Sequence, residues 1–80
     1  MAPKKKTLRV EVPDALRGVA LEQRLSGSEL RSEPEGWAVV GVADGDLSQA
    51  LAAIQQWLHD EAIERTTVHF GGRPLTMTRD

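Results

Sequence analysis

Thr7-Leu8-Arg9-Val10-Glu11-Val12 alternates strictly, apolar at Leu8, Val10 and Val12 and polar at Thr7, Arg9 and Glu11. A period of two predicts a strand with one buried face and one wet face. Pro13-Asp14 stops it, and Asp14 stands where an N-cap is needed for a helix running to about Leu25. The apolar positions of that helix are Leu16, Val19, Ala20, Leu21 and Leu25. Gly18 in its interior costs about 1 kcal/mol against alanine, which a close approach to the sheet would explain. Ser26-Gly27-Ser28 reads as a turn, Glu29 to Glu33 as a short strand and Pro34-Glu35-Gly36 as a hairpin loop.

The segment from Trp37 to Ala43, "WAVVGVA", is the strongest strand pattern in the chain. It is apolar on both sides, with Ala38, Val40 and Val42 on one and Trp37 and Val39 on the other. Asp44-Gly45-Asp46 ends it, and Asp46 with Gln49 resembles a capping box for a second helix. Leu47, Ala50, Leu51, Ile54, Trp57, Leu58 and Ala62 fall at the spacing of one helical stripe, which assigns Trp57 to the core. Glu61 and Arg65 are spaced as an i,i+4 pair that would support the end of this helix. Thr66 to Phe70 forms the next strand, Gly71-Gly72 a two-residue turn, and Leu75 to Thr78 the strand that returns from it. Such a turn sets Phe70 against Arg73, His69 against Pro74, Val68 against Leu75 and Thr66 against Met77.

The order β-α-β-β-α-β with an extra C-terminal strand predicts an α+β domain with a ferredoxin-like plaited sheet. Both helices would cover one face, and the last strand would form a terminal hairpin extending the sheet beyond the fourth strand. One domain, residues 7–79, would follow a flexible basic tail of residues 1–6.

Charge sharpens this picture. The net value of -2 conceals four positive groups in the first nine residues, with six arginines against all twelve acids in the rest. An acidic body is a poor match for nucleic acid, leaving only Lys4, Lys5 and Lys6 as a weak basic contribution. The chain has no cysteine, so thiol catalysis, thiolate metal sites and disulfides drop out. No apolar run is long enough to span a bilayer, and the expected setting is the cytoplasm.

Little catalytic chemistry can be assembled. His59 and His69 are the only histidines, and neither has a second histidine at ligand spacing, so no metal site is expected. No serine lies in a nucleophile elbow, and Asp44-Gly45-Asp46 lacks most of a calcium loop. No catalytic residues and no cofactor are expected. What remains is surface. The sheet face opposite the helices should carry Arg9, Glu11, Trp37, Val39 and His69, a patch on which Trp37 would anchor a partner. The outer edge at Leu75, Thr76 and Met77 offers a second route, by strand addition.

Three segments, "TLRVEVP", "LSQALAAIQQWLHD" and "TTVHFGGRPLTMT", together resemble the effector-associated constant component family of small bacterial proteins. The likeness spans residues 7–79, with Leu8, Trp57, Leu58, Gly72 and Arg73 matching positions that build the fold. It implies a non-catalytic adaptor of bacterial conflict or signalling systems, whose partner would be an effector protease or a nucleotide-dependent regulator. The leading expectation is thus a protein-interaction module and not an enzyme, with a homodimer as one form it could take. The alternative is a small-molecule regulatory domain of the ACT kind, binding near the first strand-helix turn at Val12 to Leu16.

Overall fold

The computed structural model describes residues 6–25, 27–43 and 47–79. Strand β1 (Lys6–Val12) leads into helix α1 (Ala15–Glu22), followed by the hairpin β2 (Glu29–Glu33) and β3 (Gly36–Ala43). Helix α2 (Leu47–Asp60) then precedes the hairpin β4 (Arg65–Phe70) and β5 (Arg73–Thr78). The fold is α+β: all five strands form one antiparallel sheet in the order β2-β3-β1-β4-β5. The expected capping segment at Asp44 and Asp46, Ser26 of the expected turn, and the basic Lys4 and Lys5 lie outside the described residues.

Alternation in β1 decides which side of the sheet is dry. Leu8, Val10 and Val12 are buried and meet Val39, Val68, Leu21, Leu25, Ile54, Trp57 and Leu58 in one core. Each such aliphatic side chain withdrawn from water contributes roughly 1.5–3 kcal/mol. Both helices therefore lie on the face that β1 marks. Trp57, fully buried, does more than fill space: its indole N–H donates to the Arg17 carbonyl at 2.8 Å and ties α2 to α1.

Helix α1 starts as expected, with the Asp14 carboxylate accepting the Arg17 backbone N–H at 2.8 Å. It ends three residues before Leu25, at Glu22, and Leu16 is 81% exposed with Val19 also exposed. Only eight residues long, α1 turns Gly18 and Leu21 to the sheet, so Leu16 and Val19 fall on its far side. Gly18 marks the close approach: a Cβ there would sit 2.4 Å from Leu30 Cδ1 and 3.1 Å from Val12 Cγ2. A larger residue would have to displace the Leu30 and Val12 methyl groups or lift the helix off β1 and β2.

The second helix stops earlier than its stripe suggests. Ala62 has φ +54°, the Ala62 N–H donates to the His59 carbonyl, and the Ile63 N–H donates to the Leu58 carbonyl. This is a Schellman end with alanine where glycine is usual, and it carries Ile63 back onto the core. The helical Glu61–Arg65 pair consequently does not form, because Arg65 already belongs to β4. The terminal hairpin has the expected register, Phe70 to Arg73, His69 to Pro74, Val68 to Leu75 and Thr66 to Met77. Gly71 and Gly72 adopt φ +58° and +85°, the left-handed pair that a two-residue turn requires.

Candidate interaction surface

Cross-strand partners share a face, so the register places every strand residue on one side or the other. Val10 opposes Val39 and Val12 opposes Trp37, which puts Val39 and Trp37 on the helix side. Val39 is in the core, and Trp37, at the outer end of β3, is 37% exposed. The expected patch of Arg9, Glu11, Trp37, Val39 and His69 on the open face is therefore not formed. Its apolar members sit on the helix side and its polar members on the open one. β3 is apolar on both sides, so its own pattern carries no sign of which side faces the helices; pairing with β1 supplies it.

Arg9, Glu11 and His69 do share the open face, and they form a chain of ion pairs. The Arg9 guanidinium binds Glu33 of β2 through two donors and approaches Glu11 at 4.0 Å. His69 Nε2 lies 2.8 Å from a Glu11 oxygen. The Arg9–Glu33 bridge links β1 to β2, so it has to cross β3, and Ala38 beneath is fully buried although it belongs to the open face. Its hydrogen bond to Arg9 holds the Glu33 carboxyl below the ordinary carboxylate value, and the Arg9 guanidinium is raised in turn. Beyond this network the open face is unevenly covered, and Val42 is 58% exposed.

The two edges of the sheet differ. On β2 the Leu30 N–H, which points away from β3, is taken by the Glu22 carboxylate of α1 at 2.6 Å. A charged residue thus closes that edge in the manner edge strands usually require. On β5 no acidic side chain takes the Thr76 N–H among the described residues. In the observed register Thr76 opposes Thr67 in a non-hydrogen-bonded pair, so its N–H and C=O point outward, and Thr76 is exposed. Pro74 beside it offers a carbonyl but no donor. Of the other expected edge residues, Leu75 is 45% exposed on the helix side and Met77 is half-buried against the core. Gln55 of α2 donates to the Arg79 carbonyl at 2.8 Å, which brings the side of α2 bearing Leu51 and Gln55 along β5.

Charge follows the same division. Arg9, Arg17, Arg24 and Arg31 each pair with an acid. Arg65, Arg73 and Arg79, in or just past the terminal hairpin, make no ion pair among the described residues. Sequence reading missed this asymmetry, because ion pairing depends on which acids the fold brings near.

One further concavity lies where β1 and β4 part. Their pairing runs only from Leu8 to Val10, after which the Thr66 hydroxyl donates to the Glu11 carbonyl in place of a backbone amide. The groove there, of about 480 Å³, is open and lined by Glu11, Val12, Pro13, Arg65, Thr67 and Thr76 among others. Among the described residues no three His, Asp or Glu side chains come together as a metal-binding group, and no helix is long and apolar enough to cross a membrane. No protein-family model matches the chain, and no curated protein or solved structure gives a match.

Proposed function

We propose that this chain is a non-catalytic protein-interaction module, an adaptor that recruits or regulates an effector in a bacterial signalling or conflict system. The observation that carries the reading is the β5 edge, where outward backbone at Thr76 adjoins the exposed Leu75. Such an edge accepts a strand from a partner, the main chain supplying affinity and the alternate side chains specificity. The effector class, a protease or an NTPase, comes from the resemblance of the three quoted segments to the effector-associated constant component family. The burial of Leu8, Trp57 and Leu58 agrees with the fold-building places that the resemblance gives them. The ferredoxin-like reading of the fold is supported by the β2-β3-β1-β4 order with β5 added outside β4.

The test is capture of partners from native lysate by the wild-type chain and by Leu75→Asp, an exposed substitution that should leave the far-ultraviolet circular dichroism unchanged. A protease or NTPase held by the wild type and lost from the variant supports the reading. Equal capture by both removes the edge from it.

A second reading is a small-molecule regulatory domain of the ACT kind. It is favoured by the groove at Glu11, Val12 and Pro13, which adjoins the first strand-helix turn and offers Arg65 and threonine hydroxyls. Thermal-shift measurements with amino acids and nucleotides decide it, since a ligand that binds only the folded state raises Tm with concentration.

A further inference from the structure

Three features invite an occupant: the groove beside Pro13, the charged open face, and the β5 edge. The groove is open to solvent, and its Glu11 carboxylate is already engaged by His69 and Arg9. On the open face Arg9, Glu11, Glu33 and His69 satisfy one another. Only the β5 edge combines outward backbone, an exposed apolar residue and cations without ion-pair partners.

We propose that the β5 edge takes up an extended acidic segment of a partner protein as a sixth strand. This rests on the interaction-module reading and names the chemistry of the partner. An antiparallel strand laid along β5 would place its own residues opposite Arg73, Leu75 and Met77 on the helix side of the sheet, and Arg79, whose N–H still donates to the Glu64 carbonyl just past the strand, continues that alternation. The complementary pattern is acid, apolar, apolar, acid at every second residue. The acids would meet Arg73 and Arg79, and the apolar pair would cover Leu75 and lie under the Leu51 side of α2. Arg65, on the open side opposite Thr78, adds a third cation without an ion-pair partner among the described residues. The backbone contacts centre on Thr76, because Pro74 contributes only its carbonyl.

A second copy of this chain fits the same edge badly. Two β5 strands paired antiparallel about Thr76 would set Arg73 of each against Arg79 of the other, and like charges directly opposite destabilise a sheet. The β2 edge of another copy is also obstructed, since Glu22 holds its Leu30 amide. An acidic segment from a different protein satisfies both the backbone and the arginines.

The experiment is an amide-resolved NMR titration of the full chain with two peptides, Glu-Thr-Val-Thr-Val-Thr-Glu and its counterpart with lysine at both ends. The acidic peptide should shift the amides of Leu75 and Thr76, and the lysine peptide should bind about tenfold or more weakly, as two exposed charge pairs allow. Arg73→Glu combined with Arg79→Glu should reverse that preference, and added salt should weaken the acidic peptide on the wild type. Thr76→Pro, which keeps every charge and removes one outward donor, should lose the binding. Equal binding of both peptides at β5 overturns the acidic partner while the interaction-module reading stands. Shifts at β5 from neither peptide overturn the proposal as well, and the Leu75→Asp capture then decides the broader reading by itself. Unchanged binding by a folded Thr76→Pro overturns strand addition.

Discussion

On the helix side of the sheet Leu8, Val10, Val12, Val39 and Val68 are sealed against Trp57, Leu21, Ile54 and Leu58. On the other side of the same strands, Arg9 holds Glu33 and leans on Glu11, while Glu11 meets His69, all in reach of water. The first arrangement is dense and cannot give way without loss of contacts. The second is a set of partly exposed ion pairs, each screened by solvent and weak alone. Stability should therefore reside almost wholly on one side of the sheet, with the other free to be tuned by charge.

The largest effect expected is that of Trp57→Ala, which removes the biggest fully buried side chain and its hydrogen bond to the Arg17 carbonyl of α1. A loss of about 3–5 kcal/mol is expected for such a truncation, read from urea unfolding. A loss under about 1 kcal/mol would mean that the helix side is not the main source of stability.

Gly18→Ala should have an intermediate effect. Alanine regains up to about 1 kcal/mol of helix propensity, but its Cβ meets Leu30 and Val12, and such crowding costs roughly 1–3 kcal/mol. A net loss is expected in the wild type. In a Leu30→Ala background the same change should become neutral or stabilising, and a double-mutant cycle measures the difference. Additivity would show that the helix does not rest on Leu30.

The smallest effect should come from the open face. In Glu33→Gln the neutral side chain keeps a hydrogen-bond acceptor but loses the charge attraction to Arg9. Glu33 has its carboxyl lowered on folding, chiefly by the Arg9 hydrogen bond, so it contributes stability above the unfolded carboxylate value. That contribution disappears as pH falls through the folded value. Thermal melts from about pH 6 to about pH 3 should show a shallower acid decline in the variant than in the wild type. Asp14 and Asp60, lowered by the Arg17 backbone amide and by Gln56 respectively, should keep part of that decline in both. Identical profiles would mean that the Arg9–Glu33 bridge adds nothing to folding.

Local signals were legible wherever the residue pattern carries its own phase. The Asp14 cap, the period-two alternation of β1, the stripe of α2 and the Gly71-Gly72 register all depend on neighbours a few residues apart. Failures occurred where a residue's role depends on a distant partner. Leu16 and Val19 are among the apolar positions of the first helix, but the short α1 directs them outward. Ala62 ended α2 in a conformation that alanine rarely adopts, and no composition signal announced it. Of the expected site residues, Leu75, Thr76 and Met77 were found at the edge as expected, whereas Val39 moved into the core and Trp37 to the helix side.

The sequence by itself determined that β1 has one dry face, that α2 buries Trp57, and that the chain ends in a tight hairpin. In each case the side-chain period and the turn geometry act within one or two adjacent elements. Tertiary structure decided which face of β3 met the helices, because both of its faces are apolar and only the pairing of Val10 with Val39 breaks the tie. It also decided that Glu22 would close the β2 edge while the outward Thr76 amide of β5 meets no acid among the described residues, and that Arg65, Arg73 and Arg79 would find no acid among them either. Those outcomes join residues far apart in the chain, so no local pattern can encode them.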